Sequence, residues 1–121
     1  MNEQRAIELV ARERARIEAL LAEQSRQIRA DASLGRQQTG ESADSGTALE
    51  AEAVSVALQA DLREQLAGVA LAEGRIASGT YGISVESGEA IPDERLEAEP
   101  LALRTVEEQR RFEQRGAPAA H

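Results

Sequence analysis

The chain has 121 residues, among them no cysteine, no lysine and no tryptophan, one tyrosine, one phenylalanine and three prolines. Without cysteine there is neither a disulfide framework nor a thiolate metal site. With only 2% aromatic residues, a large globular core is not expected to be the main source of stability. No stretch of about 18 uncharged apolar residues occurs, so no membrane span is expected. The opening Met1-Asn2-Glu3-Gln4-Arg5 lacks a basic segment followed by an apolar run, and a cytoplasmic protein is expected. Basic charge is scarce as well: the net charge is −8, and all 14 basic residues are arginine. Duplex nucleic acid is bound mainly by cations that neutralise phosphates, so direct, sequence-specific nucleic-acid binding is not expected and a protein partner is. No phosphate-binding glycine loop and no nucleophile beside a base is visible, which argues against an enzyme.

Alanine, leucine, glutamate, glutamine and arginine dominate, and all are strong helix formers. From about Asn2 to Asp31, Ile7, Val10, Ile17, Leu21 and Ile28 recur at three- and four-residue steps, with Arg14 and Gln24 as polar members of the same heptad frame. This predicts one long amphipathic helix. Residues 32 to 47 contain Gly35, Gly40 and Gly46 among polar residues and are expected to form the connecting tip. A second stripe, Leu58, Leu62, Val69, Ala72 and Ile76, with Ser55 and Gln65 as its polar members, ends at Ser78-Gly79. Two such stripes most simply fold back on each other. The expected fold is mainly α: an antiparallel coiled-coil hairpin over residues 1–78, on a small module over 79–115 with a C-terminal helix, then a flexible tail over 116–121.

Within the module a short helix is expected after Pro92 and a closing helix from about Thr105 to Gln114. Thr105 and Glu108 have the spacing of a capping box, in which each side chain bonds the other residue's backbone N–H. Charge along the hairpin is uneven. Between Arg36 and Arg63 there is no basic residue, while Glu41, Asp44, Glu50, Glu52 and Asp61 all lie there, which makes the turn the acidic end.

Gly79-Thr80-Tyr81-Gly82-Ile83-Ser84-Val85-Glu86-Ser87-Gly88, continuing through Ile91-Pro92, Glu94-Arg95-Leu96, Ala98 and Pro100, resembles the DksA/TraR family. In that family a CxxCG motif follows the tyrosine-glycine pair, and a second CxxC follows the proline. Laid on this chain, the four metal positions fall on Ser84, Ser87, Thr105 and Glu108. Two serines, a threonine and a glutamate offer neutral hydroxyls and one hard carboxylate where zinc needs thiolate or imidazole, so the family's zinc is expected to be lost. A structural zinc contributes on the order of 10–16 kcal/mol to folding a small finger. In its place Ile83, Val85, Ile91, Leu96, Leu101, Leu103, Val106 and Phe112, with Tyr81, are expected to form a small apolar core.

The resemblance implies a transcription regulator that binds bacterial RNA polymerase through the secondary channel, with acidic residues of the hairpin tip near the active centre. The family's tip motif Asp-x-x-Asp-x-Ala reads here as Glu41-Ser42-Ala43-Asp44-Ser45-Gly46. A second alignment, on the acidic-glycine-alanine pattern of shorter members, uses Asp44-Ser45-Gly46-Thr47-Ala48. Both keep Asp44, and the first adds Glu41. Guanosine tetraphosphate, a frequent co-effector in the stringent response of such proteins, is left open because its basic contacts have no matching positions here. The alternative is a coiled-coil interaction or oligomerisation module that has changed partners. A monomer is expected over a dimer.

Overall fold

The structure is a computed structural model that describes residues 1–37 and 45–116. Among the described residues four helices follow one another: α1 (Glu3–Gln37), α2 (Ser45–Ser78), α3 (Asp93–Ala98) and α4 (Val106–Gly116). Among the described residues there is no strand, only an isolated antiparallel bridge between Ile83 and Ala90. The fold is therefore mainly helical. No helix among the described residues is long and apolar enough to cross a membrane.

The two long helices exceed their expected bounds. Residues 32–37 continue α1 and residues 45–47 belong to α2, although both stretches read as loop. Gly35 and Gly46 are the reason for the misreading. A glycine costs about 1 kcal/mol in a helix interior, but Gly35 and Gly46 lie in the end turns, joined to long runs of helix formers whose cooperative extension outweighs that cost.

Contacts divide the chain into two compact units: Arg14–Gly68, and Met1–Glu13 together with the chain from Val69 onward. Within the first, Ile17 and Leu62 are buried and Leu21, Gln24, Ile28, Ser55, Gln59 and Gln65 are half-buried, which gives the seam of an antiparallel helix pair. Arg16 donates to Gln65 Oε1 at 3.4 Å, and the Gln65 amide donates to Asp61 at 2.8 Å. The polar seam position is thus bonded on both sides. Leu58 was expected in the seam, but it is 40% exposed and Gln59 lies there instead. Both residues fit a three-four alternation ending at Leu62, so periodicity alone does not choose between them.

In the second unit Ala6, Leu9, Val10, Val69, Ala72, Ile91 and Leu96 form the core. Ile7, expected to face inward, is 44% exposed, while Ala6 and Leu9 are buried. Here the first turns of α1 also meet α3. Arg5 grips Glu97 through two bonds, Nε to Oε2 at 2.7 Å and Nη2 to Oε1 at 2.5 Å, and the terminal ammonium reaches Asp93 at 3.0 Å. With α3 as a second neighbour, the buried face of α1 is turned to Ala6, Leu9 and Val10, and Ile7 falls outside it. The bidentate pair stabilises both charged forms: hydrogen bonding to Glu97 raises the Arg5 pKa, and Arg5 lowers that of Glu97.

Candidate functional site

The chain leaves α2 through a closing turn in which Thr80 N–H bonds the Arg75 carbonyl at 2.8 Å. The Arg75 guanidinium then reaches forward to the carbonyls of Thr80, at 2.8 Å, and of Ile83. Ile91 N–H bonds Gly82 O at 2.7 Å and Ser84 N–H bonds Glu89 O at 2.8 Å. These bonds fold residues 82–91 into a tight antiparallel loop. Gly88 closes it with φ of 76°, a left-handed conformation that favours glycine.

Inside that loop lies Ser84, 4% exposed. Its hydroxyl accepts from the backbone N–H of Glu86 at 3.1 Å and of Ser87 at 3.2 Å, and donates to Glu108 Oε1 at 2.7 Å. Glu108 is brought there by the start of α4. The capping box forms as expected: Thr105 N–H donates to Glu108 Oε1 at 2.9 Å, and Glu108 N–H donates to Thr105 Oγ1 at 3.3 Å. The carboxylate is only 5% exposed. Ser87 is tied into the same cluster through its N–H to Ser84 Oγ, and its hydroxyl helps hold the carboxylate ionised. All four positions marked in the sequence, Ser84, Ser87, Thr105 and Glu108, therefore meet around one carboxylate.

This geometry fixes the charge state. The Ser87 hydroxyl, the backbone N–H of Thr105 and the hydroxyl of Ser84 together lower the Glu108 pKa to about 2, against the opposing effect of desolvation. Glu108 is ionised at neutral pH and is a very weak base. A carboxylate so stabilised does not activate the serine it touches, so the pair is not a nucleophile-base arrangement.

The site's chemistry does not fit zinc either. Its hydroxyls and backbone N–H groups are committed to one another and to the carboxylate, and among the described residues no buried side-chain nitrogen or oxygen lacks a partner. Nor do three or more histidine, cysteine, aspartate or glutamate side chains converge anywhere among the described residues.

The apolar core expected in the metal's place forms only in part. Ile91 and Leu96 are buried and Tyr81, Leu101 and Leu103 are half-buried, but Ile83, Val85, Val106 and Phe112 are exposed. The centre of the module is polar. Around it, Arg104 Nε donates to Glu86 Oε2 at 2.6 Å while its guanidinium lies 3.7 Å from the centroid of the Phe112 ring. Arg115 reaches the other Glu86 oxygen at 3.3 Å, and Arg95 Nε donates to Arg104 O at 2.8 Å. Tyr81 OH donates to Pro100 O at 2.7 Å, and burial raises its pKa. Sequence reasoning missed Glu86, Arg104 and Arg115, and it missed the Arg5–Glu97 grip. No local spacing signals partners 18 to 92 residues apart.

The other sequence-marked site residues, Asp44 and Glu41, lie outside the described residues. Among their described neighbours in the acidic segment, Glu50, Glu52 and Asp61 are exposed.

Comparison with known proteins follows the same module. Residues 79–114 match the prokaryotic dksA/traR C4-type zinc finger. Among solved structures, that of transcription factor DksA2 from Pseudomonas aeruginosa is similar, with a TM-score of 0.77 and 25% sequence identity over 93% of this chain and 84% of that one. No curated protein matches the chain significantly. The chain is thus similar to DksA/TraR proteins in its finger, over residues 79–114, and similar in fold to DksA2 over nearly its whole length, with no cysteine at any position.

Proposed function

We propose that this protein is a transcription regulator that binds bacterial RNA polymerase directly, without reading DNA sequence and without catalysing a reaction. The observation that carries this reading is the likeness to a transcription factor over 93% of the chain. In this reading the hairpin enters the secondary channel, and Asp44, with Glu41, alters the active-centre environment or the stability of promoter complexes. The absence of any basic residue between Arg36 and Arg63 suits that role, because negative charge there interacts with a magnesium-bearing centre. The module over 79–115 holds the rim of the channel. Such a partner places the protein in the cytoplasm.

The test is direct. Purified protein is mixed with RNA polymerase core or holoenzyme and examined for co-migration, and initiation is followed on several promoters with and without guanosine tetraphosphate. Co-migration with altered initiation is expected. Failure to bind any cognate polymerase removes the proposal.

A second reading, a coiled-coil module that associates with itself or another helical protein, is favoured by one observation. Leu49, Val54, Val56 and Leu58 of α2 are all exposed, and Val56 borders an open cavity of about 620 Å³ lined also by Ile28, Ala32, Ala51 and Ser55. A stable dimer in sedimentation at micromolar concentration would favour it, and a monomer would favour the first.

A further inference from the structure

We propose that the Glu108 carboxylate has replaced the metal as the centre of the module, so that a zinc-finger backbone is held by a hydrogen-bonded anion and keeps the geometry of a latent zinc site. A metal centre is an electron-pair acceptor, and the groups around it must present lone pairs. Here the centre is an ionised carboxylate, which accepts hydrogen bonds and donates none, and the groups around it must be donors. The residues at the other three positions meet that inverted demand. Ser84 turns its hydroxyl proton to Oε1 at 2.7 Å, Thr105 turns its backbone N–H to the same oxygen at 2.9 Å, and Ser87 donates its N–H to the Ser84 oxygen at 3.2 Å, which orients that hydroxyl toward the carboxylate.

The frame that would serve cysteines is retained beneath this network. The turn from Ser84 to Ser87 aims two backbone N–H groups at the side-chain atom of position 84, at 3.1 and 3.2 Å. A thiolate sulfur accepts from such groups as an oxygen does. The second half of the site is the first turn of α4, where the capping box sets Thr105 and Glu108 on one side. Each half is locally determined, and the bond between Ser84 and Glu108 joins them across 24 residues. Exposure of Val85, Val106 and Phe112 shows that apolar packing has not taken over this joint.

Three measurements on the full chain test the proposal. The wild-type protein, purified in zinc-supplemented medium, is expected to hold no stoichiometric zinc and to melt at the same temperature with and without a strong chelator. Glu108→Ala is expected to lower the melting temperature, and Glu108→Gln, which keeps an acceptor oxygen, to lower it less. The variant carrying Ser84→Cys, Ser87→Cys, Thr105→Cys and Glu108→Cys together is expected to take up one zinc per chain and to lose thermal stability when chelator is added. Should that variant need zinc in order to fold, the proposal gains support, since the metal then does what the carboxylate did. One zinc per wild-type chain, an unchanged melting temperature in Glu108→Ala, or a four-cysteine variant indifferent to zinc would each overturn it. None of these outcomes bears on polymerase binding, so the two proposals fail separately.

Discussion

Replacing Ser84 by alanine should separate the stabilising role of the carboxylate network from ordinary packing. The substitution removes one buried hydroxyl, which donates to an ionised carboxylate at 2.7 Å and accepts from the N–H groups of Glu86 and Ser87. The methyl group that remains fills nearly the same space, so no cavity of consequence opens. A hydrogen bond to a charged partner contributes roughly 1.5–3 kcal/mol, and two partly buried N–H groups lose their acceptor, so the loss of the Ser84 hydroxyl is expected to cost about 2–3 kcal/mol. For a chain of this size each kcal/mol moves the melting temperature by about 3–5 °C, which gives a fall of roughly 6–15 °C at neutral pH. The pH dependence carries the sharper information. Glu108 has its pKa lowered from 4.5 to about 2 in the folded protein, chiefly by Ser87, then by the Thr105 N–H and Ser84. A group depressed in this way stabilises the fold fully above its unfolded pKa and loses that contribution as pH falls toward the folded value. Ser84→Ala removes one of the depressing bonds and raises the folded pKa. The difference in stability between wild type and variant should therefore be constant above about pH 5 and shrink as pH falls from the variant's raised folded pKa toward about 2, while the effects of other carboxylates cancel between the two proteins. Urea denaturation at closely spaced pH values, with carboxyl NMR of Glu108, measures both quantities. A difference that stays the same across that range, or a Glu108 carboxyl that titrates near 4.5 in the folded wild type, would refute the reasoning.

Gly82→Ala should destabilise the module by about 1–3 kcal/mol in denaturant titration: Gly82 has φ of 82°, which costs an L residue strain, and an added Cβ would lie 3.3 Å from Leu96 Cδ1. Tyr81→Phe removes the donor to Pro100 O and should cost about 0.5–1.5 kcal/mol, read as a lower urea midpoint with an unchanged slope. Asp44→Asn should leave the protein able to co-migrate with RNA polymerase while its effect on initiation falls, because the hairpin still docks and the charge is gone; equal effects of both proteins on initiation would take Asp44 out of the site.

Much of the local architecture was legible in the chain. Heptad spacing located both long helices, and the Thr105 to Glu108 spacing gave the capping box at the start of α4. The family resemblance, anchored on the run from Gly79 to Pro100 and carried on past the proline, marked the four positions that meet in space. The helices and the cap depend on residues within one or two turns of each other, where sequence spacing translates directly into geometry. Even so, Gly35 and Gly46 concealed the true helix ends, because a single unfavourable residue does not stop a helix that its neighbours favour.

What the chain alone left undecided were the choices made between distant segments. Ile7 and Leu58 satisfied the periodicity as well as Ala6, Leu9 and Gln59 did, and only the neighbours packed on each helix determined which side faced inward. The metal's substitute was likewise misjudged as apolar, because hydrophobicity suggested Val85, Val106 and Phe112, and all three are exposed. The tertiary structure instead brought Ser84 to Glu108, 24 residues away, and made a carboxylate that reads as a plain helix-capping charge into the buried centre of the module. The physical reason is one of range: backbone propensity and capping act within a turn, whereas burial and the pairing of a buried charge are fixed only when separate segments close around it.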